Sequence, residues 1–205
     1  MRTTKEHYNK IYSENEVTFG GGKPERVAAD VLKYRDSGIV LELGAGEGRN
    51  SLYLASKGFD VTAVDLSEVG VEKIRKTATS RDISLKTEVA DIREYEIGGT
   101  FDVLISTFVL HHLSREEALR VIKMMQEHTS LDGLNAVALF TKEGDFFKED
   151  PATSNFYLEL GELKMLYDGW GILEYSEENG KAFAKRPDGT QKENIAARIV
   201  ARKTT

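Results

Sequence analysis

Cysteine is absent from all 205 residues, so the chain forms no disulfide, no thiolate metal site and no thiol nucleophile. No apolar run approaches the roughly 20 residues that a membrane span needs, and the first residues lack the apolar core of a signal peptide. The chain also lacks an excess of positive charge. Its 34 acidic residues outnumber its 28 lysines and arginines, so the formal net charge is −6, whereas phosphate recognition usually needs a basic surface. We therefore expect a cytoplasmic protein that binds neither nucleic acid nor membrane. We expect no metal site either, because no histidine has a partner at metal-ligand spacing.

What the chain does contain is a short apolar run that leads directly into alternating glycines. Residues 39–43 read Ile-Val-Leu-Glu-Leu, and Gly44, Gly46 and Gly48 follow at every second position. Such a run bounded by glycine predicts a strand buried on both faces. Glycine permits positive φ and lets a ligand approach the backbone, while the next helix directs its free N–H groups at the same turn. The stretch predicts a nucleotide-binding corner.

Strands and helices alternate along most of the chain. The predicted strands cover residues 39–43, 59–65, 85–89, 101–106, 134–140, 172–175 and 194–202. The predicted helices cover 5–36 (interrupted at 18–24), 50–57, a segment capped by Ser67, a segment opened by the Ser114/Glu117 capping box, and 159–167. This alternation predicts parallel βαβ units in a doubly wound sheet, and the Asp188-Gly189 turn signal indicates that the last two strands are antiparallel neighbours.

Two carboxylates follow the predicted second and third strands. Asp65 lies 21 positions after Gly44, a separation at which a carboxylate accepts hydrogen bonds from ribose hydroxyls, and Asp91 follows the third strand. A dinucleotide site would instead place its third glycine at position 49, which is arginine. Two acids without a phosphate clamp suit an adenosine ligand that carries a cation, such as S-adenosylmethionine. A nicotinamide oxidoreductase stays open as a weaker alternative.

These motifs resemble those of the class I S-adenosylmethionine-dependent methyltransferases. The resemblance rests on residues 40–48, Asp65, residues 90–92 and residues 101–104. It implies an α/β fold: a Rossmann-like, doubly wound, seven-stranded sheet, mostly parallel with one antiparallel strand, and helices on both faces. It also implies that Asp65 holds the ribose and that Asp91 binds the adenine edge.

Residues 48–55, 161–170 and 201–203 are similar to segments of the tellurite-resistance methyltransferases, a family likeness that covers roughly residues 38–203. That family places a His-Arg pair before the last hairpin turn and an arginine after it. This chain has Phe183, Ala184 and Gln191 there, with Lys185 and Arg186 nearby.

The predicted site has a cofactor part and a catalytic part. The glycine turn presents its backbone to the amino-acid end of the cofactor, and the buried Glu42 is expected to bond a turn amide or the ligand's ammonium group. The predicted cofactor-binding residues are Glu42, Gly44, Ala45, Gly46, Arg49, Asn50, Asp65, Leu66, Asp91, Ile92 and Thr107. The predicted catalytic residues are His111, Lys185 and Arg186, although His111 could equally pack under the cofactor.

We expect residues 1–205 to form a single methyltransferase domain, with residues 1–36 as a helical lid and residues 141–170 as a substrate-loop and helix insertion. Aromatic residues that could line such lids are Tyr8, Tyr12, Phe19, Phe146, Phe147, Phe156 and Tyr157. The expected function is methyl transfer to a small-molecule acceptor, with a metalloid oxyanion or a thiol as candidates. The alternatives are an N- or O-methyltransferase and a non-catalytic S-adenosylmethionine sensor; a monomer and a homodimer are both open.

Overall fold

The computed structural model describes residues 4–16, 20–153 and 155–205 and contains seven α-helices and seven strands in that part of the chain. The strands are β1 (Ile39–Leu43), β2 (Asp60–Asp65), β3 (Lys86–Val89), β4 (Phe101–Thr107), β5 (Thr129–Phe140), β6 (Gly171–Lys185) and β7 (Gln191–Arg202). The helices are α1 (Thr4–Glu14), α2 (Arg26–Asp30), α3 (Arg49–Ala55), α4 (Glu68–Ser80), α5 (Arg115–Glu127), α6 (Asp145–Glu149) and α7 (Glu162–Leu166).

All seven strands form one sheet in the order β3-β2-β1-β4-β5-β7-β6. Neighbouring strands from β3 to β5 are parallel, whereas β7 runs antiparallel to both β5 and β6. The predicted fold class is therefore confirmed, including the single antiparallel strand. The order reverses between β1 and β4, and ligands of open α/β sheets bind outside the carboxyl ends of the strands at this switch point.

Helices cover both faces of the sheet because each central strand is apolar on both sides. In β1, Val40 packs with α2 and α3, whereas Leu41 and Leu43 pack in the cluster that contains α5. The apolar stripe of α4 lies on the same face as α3, where Ile74 meets Ala63 of β2. Burial on both faces explains why these strands read as continuous apolar runs rather than alternating ones.

Local sequence signals set two of the helix starts as predicted. The Ser67 hydroxyl accepts a hydrogen bond from the Gly70 N–H at the start of α4. At α5, Ser114 and Glu117 form the complete reciprocal capping box. These bonds satisfy backbone donors that have no partner inside the helix.

The N-terminal helical prediction is wrong in extent. Within residues 4–16 and 20–36 the structure has α1, the short α2 and single 3-10 turns at Gly20–Gly22 and Val31–Lys33 instead of two long helices. The predicted interruption is confirmed at Gly20–Gly22, where all three glycines adopt positive φ, but the α-helix after it ends already at Asp30. The predicted lid residue Phe19 lies outside the described residues.

Strands β5 and β6 are longer than predicted. Strand β5 begins at Thr129 instead of residue 134, because the turn-like Asp132-Gly133 segment is held by backbone bonds to Lys203. Strand β6 reaches Lys185 through a polar run without alternation, since it is an edge strand that pairs only with β7. Long-range backbone pairing decides both boundaries.

Candidate active site

A cavity of about 620 Å³ opens at the carboxyl ends of β1, β2 and β4 and beside the first half of β7. Its volume lies within the roughly 300–1,000 Å³ of pockets that hold drug-sized ligands. The cavity is lined by every residue predicted to bind the cofactor, and by His111: Glu42, Gly44, Ala45, Gly46, Arg49, Asn50, Asp65, Leu66, Asp91, Ile92 and Thr107. The sheet topology therefore brings together residues that are spread over 70 positions.

The turn after β1 forms the floor of the cavity. Gly44 and Gly46 have φ values of +78° and +60°, which L-residues with a side chain rarely adopt. The N–H groups of Gly44 and Ala45 both donate to the carbonyl of Val64, at 2.8 and 2.9 Å. This pairing ties the turn to β2 and brings the glycine backbone beside Asp65.

Asp65 ends β2 and holds the turn from the other side. Its Oδ2 accepts a hydrogen bond from the Gly46 N–H at 2.7 Å, and its Oδ1 accepts one from the Ser67 N–H at 2.8 Å. Burial raises the pKa of the Asp65 carboxyl, and the two N–H donors act in the opposite direction. Each carboxylate oxygen keeps a second lone pair for a ligand hydroxyl.

Glu42 is buried at the end of β1, with 1% of its surface exposed. Its carboxylate accepts hydrogen bonds from Asn50 Nδ2 at 2.7 Å and from the Ser51 hydroxyl. Asn50 Nδ2 also donates to Thr107 Oγ1 at 3.0 Å, so one amide joins β1, α3 and β4. Burial raises the pKa of Glu42 to about 7, although these donors oppose the shift.

Asp91 lies at the predicted adenine end of the cavity, but its carboxylate is shared with a neighbour. Both oxygens accept hydrogen bonds from the Arg93 guanidinium, and Oδ1 also accepts the Arg93 N–H at 2.9 Å. These bonds lower the pKa of Asp91. Arg93 lines the cavity as well, so an adenine ring would meet this ion pair rather than an isolated acid.

Helix α1 covers the part of the cavity around the glycine turn, which we call the cofactor half because predicted cofactor-binding residues line it. Its Tyr8 hydroxyl lies 2.7 Å from Nε2 of His112, and the buried Tyr12 lies over the glycine turn, where a Cβ on Gly46 would come within 2.7 Å of its hydroxyl. Lys5 forms an ion pair with Glu68 at the start of α4. Burial raises the pKa of Tyr8 to about 12, so its hydroxyl stays protonated.

His111 lines the same cavity as Asp91 and lies beside aromatic side chains. Its ring centroid is 4.9 Å from that of Phe140 and 6.2 Å from that of Tyr157. Nδ1 is buried and has no hydrogen-bond partner in the described part of the chain. Burial, and secondarily the neighbouring His112, lowers the pKa of His111 well below its usual value, so the ring is neutral at pH 7.

The structure does not bring Lys185 and Arg186 into this cavity. Both lie at the hairpin between β6 and β7, where Lys185 is exposed and Arg186 forms an ion pair with Asp145 at the start of α6. Neither lines the cavity, so their predicted catalytic role has no support from geometry. The side chains of Phe183 and Ala184 lie outside the described residues.

Several cavity residues escaped the sequence analysis, among them Glu25, Phe108, Asn194 and Arg198. The available signal was in β7, where Asn194, Ala196 and Arg198 alternate with apolar residues and therefore share one face. Glu25 precedes α2 and carried no signal, since its backbone N–H reaches Asn50 Oδ1 only through the tertiary fold, at 2.7 Å. Phe108 has a positive φ of 54°, which no sequence pattern indicates.

Comparisons with known proteins agree with this geometry. The family model described as tellurite resistance protein TehB matches residues 4–199. The probable S-adenosyl-L-methionine-dependent methyltransferase TehB of Haemophilus influenzae (strain 10810) is 35% identical over 164 residues, which cover 80% of this chain and 57% of that relative. The chain thus spans little more than half the length of this curated relative.

Solved structures show the same fold. The crystal structure of TehB from Haemophilus influenzae matches with a TM-score of 0.79 at 29% identity, over 97% of this chain and 66% of that one. The magnesium protoporphyrin IX methyltransferase ChlM from Synechocystis PCC 6803, solved with bound SAH, matches with a TM-score of 0.70 at 19% identity, over 97% and 93%. The second match shows the fold alone.

The strand order and the site at its switch point define a class I methyltransferase fold, as the resemblance implied. Within that class, the family model that matches nearly the whole chain and the 35% identity to a relative both indicate one family. The chain belongs to the TehB family.

No described helix is long and apolar enough to cross a membrane.

Proposed function

We propose that this protein transfers a methyl group from S-adenosylmethionine to a small-molecule acceptor, with a thiol or a metalloid oxyanion as the candidate nucleophile. The observation that carries the proposal is the placement of two buried carboxylates, Glu42 and Asp65, on either side of the glycine turn in a cavity of about 620 Å³. The names of the TehB relatives support the same cofactor. Helix α1 then acts as the lid of the cofactor half.

The residues present fit this cofactor. Glu42 would accept from its ammonium group, Arg49 would attract its carboxylate, and the glycines, which have no Cβ, would leave space for its amino-acid chain. Asp65 would accept from ribose hydroxyls, Leu66 and Ile92 would contact the adenine ring, and Asp91 with Arg93 would bind the ring edge. When bound, S-adenosylmethionine supplies an activated methyl group whose transfer leaves a neutral thioether.

The protein's own contribution is mainly alignment. An acceptor between His111 and the cofactor half would be held in line with the methyl group, and such positioning can supply about 7–11 kcal/mol. His111 is neutral and could take the proton from an acceptor thiol, but the burial that lowers its pKa opposes the charged imidazolium and so weakens it as a base. The aromatic residues around it exclude water from the reacting atoms.

The first test is binding and turnover together. Calorimetry with S-adenosylhomocysteine should show binding, and methyl-labelled S-adenosylmethionine should give labelled product with at least one acceptor among small thiols, selenite and tellurite. Binding without any labelled product would favour a non-catalytic sensor. Absence of both would contradict the proposal.

Glu42 gives the affinity for S-adenosylhomocysteine a specific pH dependence. Because its carboxylate ionises near pH 7 and pairs with the ligand's ammonium group, we expect the affinity to rise at least fivefold between pH 5.5 and 7.5. Glu42→Gln should bind weakly with a flat profile over this range. Calorimetry at intervals of half a pH unit measures both, and an equally steep profile in the variant would exclude Glu42 as the source.

The same pKa shift predicts an effect on the unliganded protein. The folded-state pKa of about 7 exceeds the ordinary value of 4.5, so the folded state binds more protons than the unfolded state within that window. The contribution of Glu42 to the free energy of unfolding therefore falls as the pH rises from about 4.5 to 7.

His111 is predicted to act as a base for a thiol acceptor. At pH 6.5 most thiols are protonated, because their pKa is about 8.5, so His111→Ala should lower kcat at least tenfold. At pH 9 the thiolate is already present and the two rates should converge. His128→Ala is the matched control, since His128 lies outside the cavity and contacts the carbonyl of Gly99. A constant ratio of rates across this pH range would remove His111 as the base.

A further inference from the structure

Two arginines share a single carboxylate beside the aromatic part of the cavity. The guanidinium carbons of Arg49 and Arg198 lie 5.9 and 5.6 Å from the ring centroid of Phe108. Nε of Arg198 donates to one oxygen of Glu25, and Nη2 of Arg49 lies 3.9 Å from the other. All four residues line the cavity. Two positive charges and one negative charge give this cluster a net charge of +1 without a ligand. The proposed contact between Arg49 and the cofactor's carboxylate would use one of these charges, which leaves Arg198 as the guanidinium available to an acceptor.

The cluster is poorly hydrated, which makes its excess charge costly without a ligand. The two arginine side chains are 17% exposed and the Glu25 side chain is 10% exposed. Buried charges are stable when paired. Beyond Glu25, Arg198 donates only to the Ala196 carbonyl, through Nη1 at 3.5 Å, so its Nη2 has no protein partner in the described part of the chain. A guanidinium edge of this kind matches the two oxygens of a carboxylate.

Phe108 belongs to a row of aromatic rings, which we call the aromatic wall, and Lys192 Nζ lies 5.8 Å from the centroid of the ring at the far end, that of Phe146. The ring of Phe140 lies 4.7 Å from that of Phe108 between centroids, and Phe146 lies a further 5.2 Å along. Asn194 lines the cavity past Phe146 and is 2% exposed. Its Oδ1 accepts from the Phe146 N–H at 3.0 Å, while its buried Nδ2 has no partner among the described residues. The wall therefore ends in an unsatisfied donor.

We propose that the methyl acceptor is a thiol on an amphipathic anion: a small molecule with a carboxylate or similar oxyanion head bound by Arg198 and a ring-sized apolar body packed on Phe140 and Phe146. Its sulfur takes the methyl group and its proton passes to His111. Asn194 Nδ2 donates to a polar substituent of that body. This inference rests on the proposed function, because it assigns the acceptor of that reaction. A bare oxyanion would leave the aromatic wall without a ligand contact, and an acceptor without an anionic head would leave Nη2 of Arg198 without a partner.

The test uses binding of non-reacting probes to the protein saturated with S-adenosylhomocysteine. Benzoate has both head and body, benzamide has the body without the charge, and acetate has the head without the body. Calorimetry should give benzoate the highest affinity, with benzamide and acetate each at least tenfold weaker. Equal affinities for benzoate and benzamide would overturn the anionic head, and equal affinities for benzoate and acetate would overturn the apolar body.

Two variants of the cluster should change benzoate binding in opposite directions. Arg198→Gln should weaken the affinity for benzoate at least tenfold and leave the affinity for benzamide unchanged. Glu25→Gln removes the carboxylate that competes with the ligand for Arg198 and should raise the affinity for benzoate at least threefold. Arg26→Gln is the matched control, because Arg26 pairs with Glu178 and does not line the cavity.

If the cluster has only a structural role, Arg198→Gln and Glu25→Gln should both weaken the binding of both benzoate and benzamide. That result would overturn the proposal, as would an unchanged preference for benzoate in Arg198→Gln. If Arg198→Gln does not fold, Arg198→Lys and Glu25→Gln decide the question, since Glu25→Gln keeps the backbone bond to Asn50.

Binding of S-adenosylhomocysteine is measured first. Its absence would count against the proposed function, while benzoate binding to the protein alone still tests the anion site.

Discussion

Asp65→Ala is expected to weaken the affinity for S-adenosylhomocysteine at least 100-fold, which corresponds to about 2.7 kcal/mol. The substitution removes the carboxylate proposed to accept from ribose hydroxyls, and hydrogen bonds to charged groups contribute about 1.5–3 kcal/mol each. It also releases the Gly46 N–H, which Asp65 holds at 2.7 Å, and so loosens the turn under the cofactor. Calorimetry at pH 7.5 measures the loss.

The matched control for this prediction lies on the same strand. Asp60 begins β2, is exposed and contacts only Lys86 among the described side chains, at 3.4 Å. Asp60→Ala should leave the affinity for S-adenosylhomocysteine within twofold of the wild type. Chemical denaturation of both variants separates loss of binding from loss of folding. An Asp65→Ala protein that is folded and binds with unchanged affinity would contradict the cofactor assignment.

Gly44→Ala is expected to lower the free energy of unfolding by about 2–5 kcal/mol. An L-residue at its φ of +78° costs about 1–2 kcal/mol in backbone strain. The new Cβ would also lie 2.2–2.8 Å from three side-chain atoms of Val109, and overpacking of this kind costs about 1–3 kcal/mol. Because the turn forms the cavity floor, binding of S-adenosylhomocysteine should be lost as well.

Gly58→Ala separates the cost of backbone strain from the cost of overpacking. Gly58 has a φ of +95°, so alanine is strained there too, but its Cβ would meet nothing within 4 Å. We expect a loss of only about 1–2 kcal/mol by urea denaturation, with cofactor affinity unchanged. If the two alanine variants lose the same stability, then Val109 moves aside and the close packing at Gly44 does not matter.

Much of the cofactor half could be predicted from sequence because its signals are local or depend on a general property of parallel sheets. The apolar run and glycines at 39–48 specify a buried strand and a tight turn within ten residues. Asp65 and Asp91 end strands of the same direction, so they reach the same edge of the sheet wherever the connecting helices lie. Their partners, however, could not be predicted, and Arg93 takes up the Asp91 carboxylate.

The part of the cavity lined by Arg198 and Asn194 could not be predicted from sequence because it is assembled by long-range contacts. The sequence analysis predicted Lys185 and Arg186 as catalytic residues, on the hairpin next to the positions where the family carries its own. The structure instead brings Arg198 into the cavity and pairs it with Glu25, which lies 173 positions away. No periodicity or spacing encodes a pair of that separation.

For this protein, then, sequence alone determined the class of fold, the strand that carries the glycine turn, and the residues that line the cavity along the ends of β1 and β2. Apolar runs, glycines and helix caps act within a few residues, and parallel strands align their ends without further information. Only the tertiary structure decided which charged groups enter the other half of the cavity. That choice depends on the antiparallel return of β7 beside β5, which brings Arg198 and Asn194 to the same edge as His111.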